Sequence, residues 1–175
     1  MSFPDYLHER VLVPSGMTHT YVDDTFALIP NRAHGYHPKT YAQFNGEVRN
    51  PSLMDSSYKV SAGGLVSTAE DIVRFGVAVQ NGVLVKRETF ALMSEVQKTR
   101  DGRETGYGYG WYVGTREGRP RSVWHGGVQQ GFTGDLWLLP DKHFTIAILT
   151  NLEGGEILGL SGLANQVADV VLTKP

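Results

Sequence analysis

Hydrophobic and polar positions alternate with different periods along the chain, and each period predicts a different element. Asp5 to Val13 reads as a helix, stopped by Pro14-Ser15-Gly16. Met17 to Lys59 has weak periodicity and many turn residues, including Pro30-Asn31 and His37-Pro38. It reads as irregular chain with short extended pieces, and such a stretch covers something functional or depends on another part of the protein. Ser67 with Glu70, or Thr68 with Asp71, fits a helix N-terminus. Ala69, Ile72, Val73, Phe75 and Val79 follow at helical spacing, and Asn81-Gly82 ends the run. A second helix is predicted from Arg87 to Gln97, burying Phe90, Met93 and Val96.

After Asp101-Gly102 the period changes to two. Tyr107, Tyr109, Trp111 and Val113 alternate with Gly108, Gly110 and Tyr112, which predicts a strand. Ser122 to His125 and Thr133 to Leu139 are the next two strands, and Pro140-Asp141-Lys142 is turn chemistry. Phe144 to Leu149 is a fourth strand, apolar enough to be covered on both faces. Ile157 to Leu172 closes the chain as a helix, with Leu160, Leu163, Ala164, Val167 and Val171 on one stripe. Hairpin-linked strands followed by a helix give an α+β architecture with an antiparallel sheet.

Composition narrows the chemistry. Sixteen Lys and Arg against eighteen Asp and Glu leave a formal charge of −2, so charge gives no case for nucleic acid or an anionic membrane as partner. With 41% hydrophobic and 19% charged residues among 175, the chain is able to fold around a core. No apolar run approaches the ~18 residues of a membrane span. The absence of cysteine excludes disulfides, Cys-ligated zinc, Fe–S clusters and a Cys nucleophile. There are 21 glycines in 175 residues, above the usual ~7%, which implies tight turns or close backbone approaches.

Gly106-Tyr107-Gly108-Tyr109-Gly110 lies inside an aromatic alternation rather than between a strand and a helix, so it does not read as a dinucleotide loop, and no cofactor is expected. The eight tyrosines and three tryptophans, alternating inside strands, read as core more than as a ligand groove. His34-Gly35-Tyr36-His37 lacks further ligands at metal-binding spacing, and no metal site is expected. Trp124-His125-Gly126-Gly127 has the look of the oxyanion loop of α/β-hydrolases. That fold also needs a later Gly-x-Ser-x-Gly, and Gly159-Leu160-Ser161-Gly162-Leu163 fails at its last position.

A wider set of features fits better: Gly16-Met17-Thr18-His19-Thr20, then Ser61-Ala62-Gly63-Gly64-Leu65-Val66-Ser67-Thr68-Ala69-Glu70-Asp71, then Tyr109-Gly110-Trp111, then His125-Gly126-Gly127 with Gly131-Phe132. In this order they resemble the C-terminal half of the serine β-lactamase and penicillin-binding-protein-like family, in its class C β-lactamase, DD-peptidase and esterase branch. The resemblance implies that His125-Gly126-Gly127 takes the place of the family's Lys-Thr-Gly box beside the active serine. Gly126 and Gly127 would then let substrate lie against the strand backbone. The Val128 N–H would be one of two oxyanion-hole donors, and His125 would supply a polar group where other members carry lysine. The plainer reading is that His125 bonds a neighbouring loop and the glycines serve strand packing.

The family's nucleophile pair, Ser-x-x-Lys, and its Tyr-x-Asn or Ser-x-Asn box must converge on the serine. None of the eight tyrosines has asparagine two residues on, and no Ser-x-Asn occurs. Ser56-Ser57-Tyr58-Lys59 has the right spacing but follows the Gly-Met-Thr segment by about forty residues, and it reads as a solvated turn. The expectation is therefore a single partial domain over residues 1–175, with a helical and irregular region over 1–60 and helices, antiparallel strands and a closing helix over 61–175. The N-terminal part of the family fold, with the nucleophile, would be absent. By the resemblance the complete enzyme would open an amide or ester in a small molecule or peptide through an acyl-serine. The competing reading is a non-catalytic module that kept the cleft wall to bind a ligand. In the family's sheet the strand matching Phe144 to Leu149 pairs with an N-terminal strand, so its edge is expected to pair through self-association or a complementary N-terminal half. Alternatively, the loop before Ser61 folds across it.

Overall fold

The computed structural model describes residues 1–41, 44–53, 55, 57–59, 61–115, 118–154 and 159–172. The chain divides into two compact units. The first is Met1–His19, Ala69–His125 and Leu136–Ala147, and the second is Thr20–Thr68, Gly126–Asp135 and Ile148–Pro175.

In the first unit, helix α1 runs through residues 3–15 as α over Phe3–Leu7, π over His8–Leu12 and α again over Val13–Ser15. It begins two residues before the expected Asp5 because Ser2 and Asp5 form a capping box, each side chain accepting the other's backbone N–H. Pro14 lies inside the helix rather than past its end. The last carbonyls still find donors: Ser15 Oγ bonds Val11 and the Met17 N–H reaches Leu12 at 2.9 Å. Gly16, at φ +70°, then ends the helix.

Helix α2 spans Ala69–Gln80, directly after Thr68, and stops at Asn81-Gly82 with Gly82 at φ +78°. Helix α3 spans only Arg87–Met93 and not the predicted run to Gln97. Beyond it the backbone pairs with the loop that follows. Tyr109 N–H donates to the Met93 carbonyl at 2.8 Å, and Gln97 N–H to Tyr107 at 2.8 Å.

The aromatic alternation is likewise not one strand. Only Tyr112–Gly114 forms β5, because Gly106 and Gly110 sit at φ +69° and +79° and fold the run back on itself. Gly108 N–H donates to the Trp111 carbonyl at 2.7 Å, and Val113 N–H to that of Gly106 at 2.9 Å. A Cβ on Gly108 would fall 2.2 Å from the Met93 carbonyl oxygen, so glycine alone fits where this turn meets the end of α3.

The four-stranded sheet has the order β5-β6-β7-β8, with β6 over Ser122–Gln129, β7 over Phe132–Leu139 and β8 over Phe144–Thr150. Strands β5 and β6 are antiparallel, in the register Tyr112↔Trp124, Val113↔Val123, Gly114↔Ser122. Strand β6 runs four residues past the predicted end. Strand β8 is covered in part on both faces: Thr145 lies half-buried against α2, where Gln80 Nε2 donates to its Oγ1 at 2.8 Å, and Ile146 points to the other face. As the last strand of the sheet it buries Ile146 and leaves Leu149 42% exposed. The core of the first unit is Val79, Phe90, Trp111, Val123, Leu136 and Leu138, with Ile72, Phe75 and Met93 packed against it.

Apart from its share of the sheet, the second unit is mostly irregular over 20–68, as its sequence predicts. Two-residue strands pair as β1 (Tyr21–Val22) with β4 (Leu65–Val66) and β2 (His37–Pro38) with β3 (Val48–Arg49). Helix α4 spans Leu160–Leu172, and the predicted start at Ile157 lies outside the described residues. Its buried stripe is Leu160, Ala164 and Ala168 with Val167 half-buried. Leu163, on the flank of that stripe, and Val171, in the last turn, are exposed, contrary to the predicted stripe. A short parallel bridge joins Tyr36 to Leu152, with Tyr36 N–H donating to Asn151 at 2.9 Å, so the loop before Ser61 does pair with the chain just after β8. No helix among the described residues is long and apolar enough to cross a membrane.

Candidate functional site

An antiparallel strand with one covered face alternates buried and exposed positions. Strand β6 starts that way, with Val123 fully buried, and then places four exposed residues in succession: His125, Gly126, Gly127 and Val128. The strand passes from the first unit to the second between His125 and Gly126.

In the second unit the two glycines differ. A Cβ on Gly127 would meet nothing within 4 Å, so the backbone there is bare. A Cβ on Gly126 would lie 3.2 Å from Asp135 Oδ1 and 3.4 Å from the Gly134 carbonyl, so Gly126 is small because a neighbour approaches it. Val128 is 52% exposed.

In the first unit His125 Nε2 lies 3.0 Å from the Tyr107 hydroxyl, so His125 does bond a neighbouring loop. Tyr107 packs edge-on against Tyr112 with centroids 4.8 Å apart. Tyr112 stacks on Trp124, and Trp124 on Trp137 at 4.7 Å and 11°. Of the aromatics expected in the core, Trp111 and Trp137 are buried, whereas Tyr109 and Tyr112 stay about half exposed. Tyr107 as the partner of His125 was not foreseeable from spacing, because the turn at Gly106 and Gly110 sets its position.

Two polar groups of the second unit were also missed. Glu153 accepts the Tyr41 hydroxyl at 2.7 Å on Oε1 and the Gly131 N–H at 3.0 Å on Oε2, with His37 Nε2 3.7 Å away. Burial by itself raises the Glu153 pKa, but the Tyr41 and Gly131 hydrogen bonds and the nearby His37 and Arg49 outweigh it and hold the carboxyl below its ordinary value. The hydrogen bond to that carboxylate raises the Tyr41 phenol in turn.

The Ser-x-x-Lys match divides. Ser56 lies outside the described residues, while Lys59 ends a 3₁₀ turn over Ser57–Lys59. Lys59 is half-buried and not fully solvated: its Nζ donates to Gln129 Oε1 at 3.1 Å and to Gln130 Oε1 at 3.4 Å. His34 and His37 are engaged with Asn50 and Tyr41, and no group of three metal-ligating side chains gathers among the described residues.

A family model described as Beta-lactamase matches residues 1–164. Penicillin-binding protein 4* of Bacillus subtilis is 27% identical over 168 residues, a match covering 87% of this chain and 36% of the relative. The chain thus spans about a third of the length of the curated relatives it matches. Among solved structures, the D-amino acid amidase of Ochrobactrum anthropi SV3, complexed with L-phenylalanine amide, superposes with a TM-score of 0.72 at 24% identity. That match covers 96% of this chain and 50% of the amidase. The octameric penicillin-binding protein homologue of Pyrococcus abyssi gives 0.68 at 22% identity, covering 95% and 38%. These likenesses show the fold, a mixture of helix and antiparallel sheet with a C-terminal helix.

Proposed function

Because the chain belongs to the beta-lactamase family, we propose that it supplies one wall of the cleft in a serine hydrolase that opens an amide or ester through an acyl-serine intermediate. The observation that carries this reading is the bare strand at Gly127, followed by exposed Val128. A carbonyl seated there would meet the Val128 N–H as one of two oxyanion-hole donors, which act on charge formed only in the transition state. His125, held by Tyr107, presents an imidazole on the same strand. In this reading the nucleophile, its lysine and the tyrosine box are supplied by another segment; Tyr-x-Asn and Ser-x-Asn do not occur in these 175 residues. No cofactor takes part in this chemistry. The solved D-amino acid amidase was captured with an amide, which favours amides among the candidate substrates.

Incubated alone with a labelled penicillin or a fluorophosphonate, the chain gains no adduct in intact-mass spectrometry. A stoichiometric adduct that disappears in Ser56→Ala would restore Ser56 as the nucleophile and overturn the reading. Combined with a segment carrying Ser-x-x-Lys and Tyr-x-Asn, the chain becomes active, and Gly127→Val lowers kcat/KM by roughly 10²–10³, the scale of losing an oxyanion donor. Near-parental kcat/KM in that variant places the cleft wall elsewhere. Ligand binding without turnover by the combined protein leaves a binding module.

The same reading has the edge of β8 paired, either with a second copy or with the complementary segment. In support, the strand is last in its sheet and carries no charge or proline from Phe144 to Thr150. Sedimentation with hydrogen exchange decides this. A strict monomer whose Ile146 and Ile148 amides exchange rapidly while the fold persists refutes it.

A further inference from the structure

A neutral imidazole carries its N–H on one of two ring nitrogens, and the hydrogen bond that one nitrogen makes decides which. In the first unit His125 is exposed, and its Nε2 lies 3.0 Å from the Tyr107 hydroxyl. A phenol O–H is more acidic than a neutral imidazole N–H, so in this pair the hydroxyl donates and Nε2 accepts. The imidazole N–H is then on Nδ1.

The phenol is held in place from several sides. Tyr107 N–H donates to Thr105 Oγ1 at 3.1 Å, and its carbonyl accepts the Gln97 N–H at 2.8 Å. Its ring stands edge-on to Tyr112, and the two residues are also bridged through the backbone. Tyr112 is the cross-strand partner of Trp124 and stacks on it at 5.6 Å, while Trp124 stacks on the buried Trp137. The imidazole of His125 joins the same cluster, 5.7 Å from the Tyr112 ring. Ring packing of this kind would hold a phenylalanine at 107 equally well. What the tyrosine adds is a proton directed at Nε2.

We propose that Tyr107 is a positioning residue: its hydroxyl fixes His125 in the Nδ1–H tautomer and so makes Nδ1 a neutral hydrogen-bond donor to an oxygen of the substrate. Histidine in water is mainly the Nε2–H form, which would leave a lone pair at Nδ1 and repel that oxygen. The role toward substrate rests on the reading of His125 as part of the cleft wall. The tautomer does not.

The test is a long-range ¹H–¹⁵N spectrum of the His125 ring in the 175-residue chain, at about pH 8.5, some two units above the ordinary histidine value. The resonance is assigned by its loss in His125→Asn. The parent is expected to show a protonated Nδ1 and a bare Nε2. Tyr107→Phe should move the tautomer ratio toward Nε2–H by about three- to tenfold, the scale of one hydrogen bond. The amides of Trp111 and Val113 report that the turn is intact. An Nε2–H form in the parent overturns the assignment whatever the variant does, and so does an unchanged ratio in a folded Tyr107→Phe. In the chain combined with a segment carrying Ser-x-x-Lys and Tyr-x-Asn, Tyr107→Phe should lower kcat/KM by a similar factor. A tautomer shift with kcat/KM unchanged overturns the positioning role. A combined protein without activity overturns the hydrolase reading, and the role toward substrate with it, while the spectra still decide the tautomer.

Discussion

The two compact units share the same strands but hold them by different means. The first is packed: Val123 and Leu138 have no exposed surface, and Phe90 meets Trp111 edge-on with centroids 6.1 Å apart. Even its buried carboxylate is fully engaged, since Asp71 accepts the His19 N–H at 2.7 Å and Arg74 at 2.9 Å. The second unit relies on long-range polar clamps. Glu153 ties Tyr41 to the Gly131 turn, Lys59 ties its loop to Gln129, and Thr133 Oγ1 donates to the Leu152 carbonyl at 2.9 Å. An apolar core stabilises in proportion to the area it buries, whereas a clamp adds about a kilocalorie per hydrogen bond and depends on charge state. Cavities in the core should therefore weigh most in the first unit, and loss of the Glu153 charge should act on the second.

The largest expected effect tests the packed unit. Leu138→Ala should cost about 2–5 kcal/mol in urea unfolding. A loss under about 1 kcal/mol would mean that its core is not what holds it. Next comes Glu153→Gln, whose amide can accept the Gly131 N–H and donate to the Tyr41 oxygen but loses the charge on both bonds, and should cost about 1 kcal/mol. The sign with pH follows from the lowered Glu153 value: the unfolded chain takes up this proton at higher pH than the folded one. The contribution is complete above the ordinary glutamate pKa of about 4.3 and is lost as pH falls through the folded value. Protection of the Gly131 amide should fall along that course in the parent and stay flat in Glu153→Gln, while amides around Leu138 change little. Parallel loss at both places would end the distinction between the units. The smallest effect is at the exposed pair Lys39–Glu47, 3.0 Å apart, where Lys39→Ala should change stability by about 0–1 kcal/mol. A larger loss would make surface charge part of what holds the second unit.

The site was legible in part. The pattern Trp124-His125-Gly126-Gly127 marked β6, and the structure places His125 to Val128 as its exposed stretch. The same pattern treated the two glycines alike, and only the approach of Asp135 to Gly126 separates them. Lys59 was read as part of a solvated turn because its partners lie 70 and 71 residues away. Glu153 carried no signal, since its Tyr41 partner is 112 residues distant.

Local chain energetics determined α1, α2, β7 and the irregular stretch over 17–59. Capping residues, apolar period and turn chemistry act within a few residues and leave their mark in the sequence. Tertiary structure decided the cases where a local preference met a distant competitor. The Tyr-Gly alternation had strand periodicity, yet its backbone groups bond within a turn and to the end of α3, and that turn carries Tyr107 to His125. Helix α3 stopped at Met93 because the same turn took its last carbonyl. The apolar run of β8 announced a strand, but its place as the last of the sheet, with one edge beyond β7, was set by the tertiary order of strands.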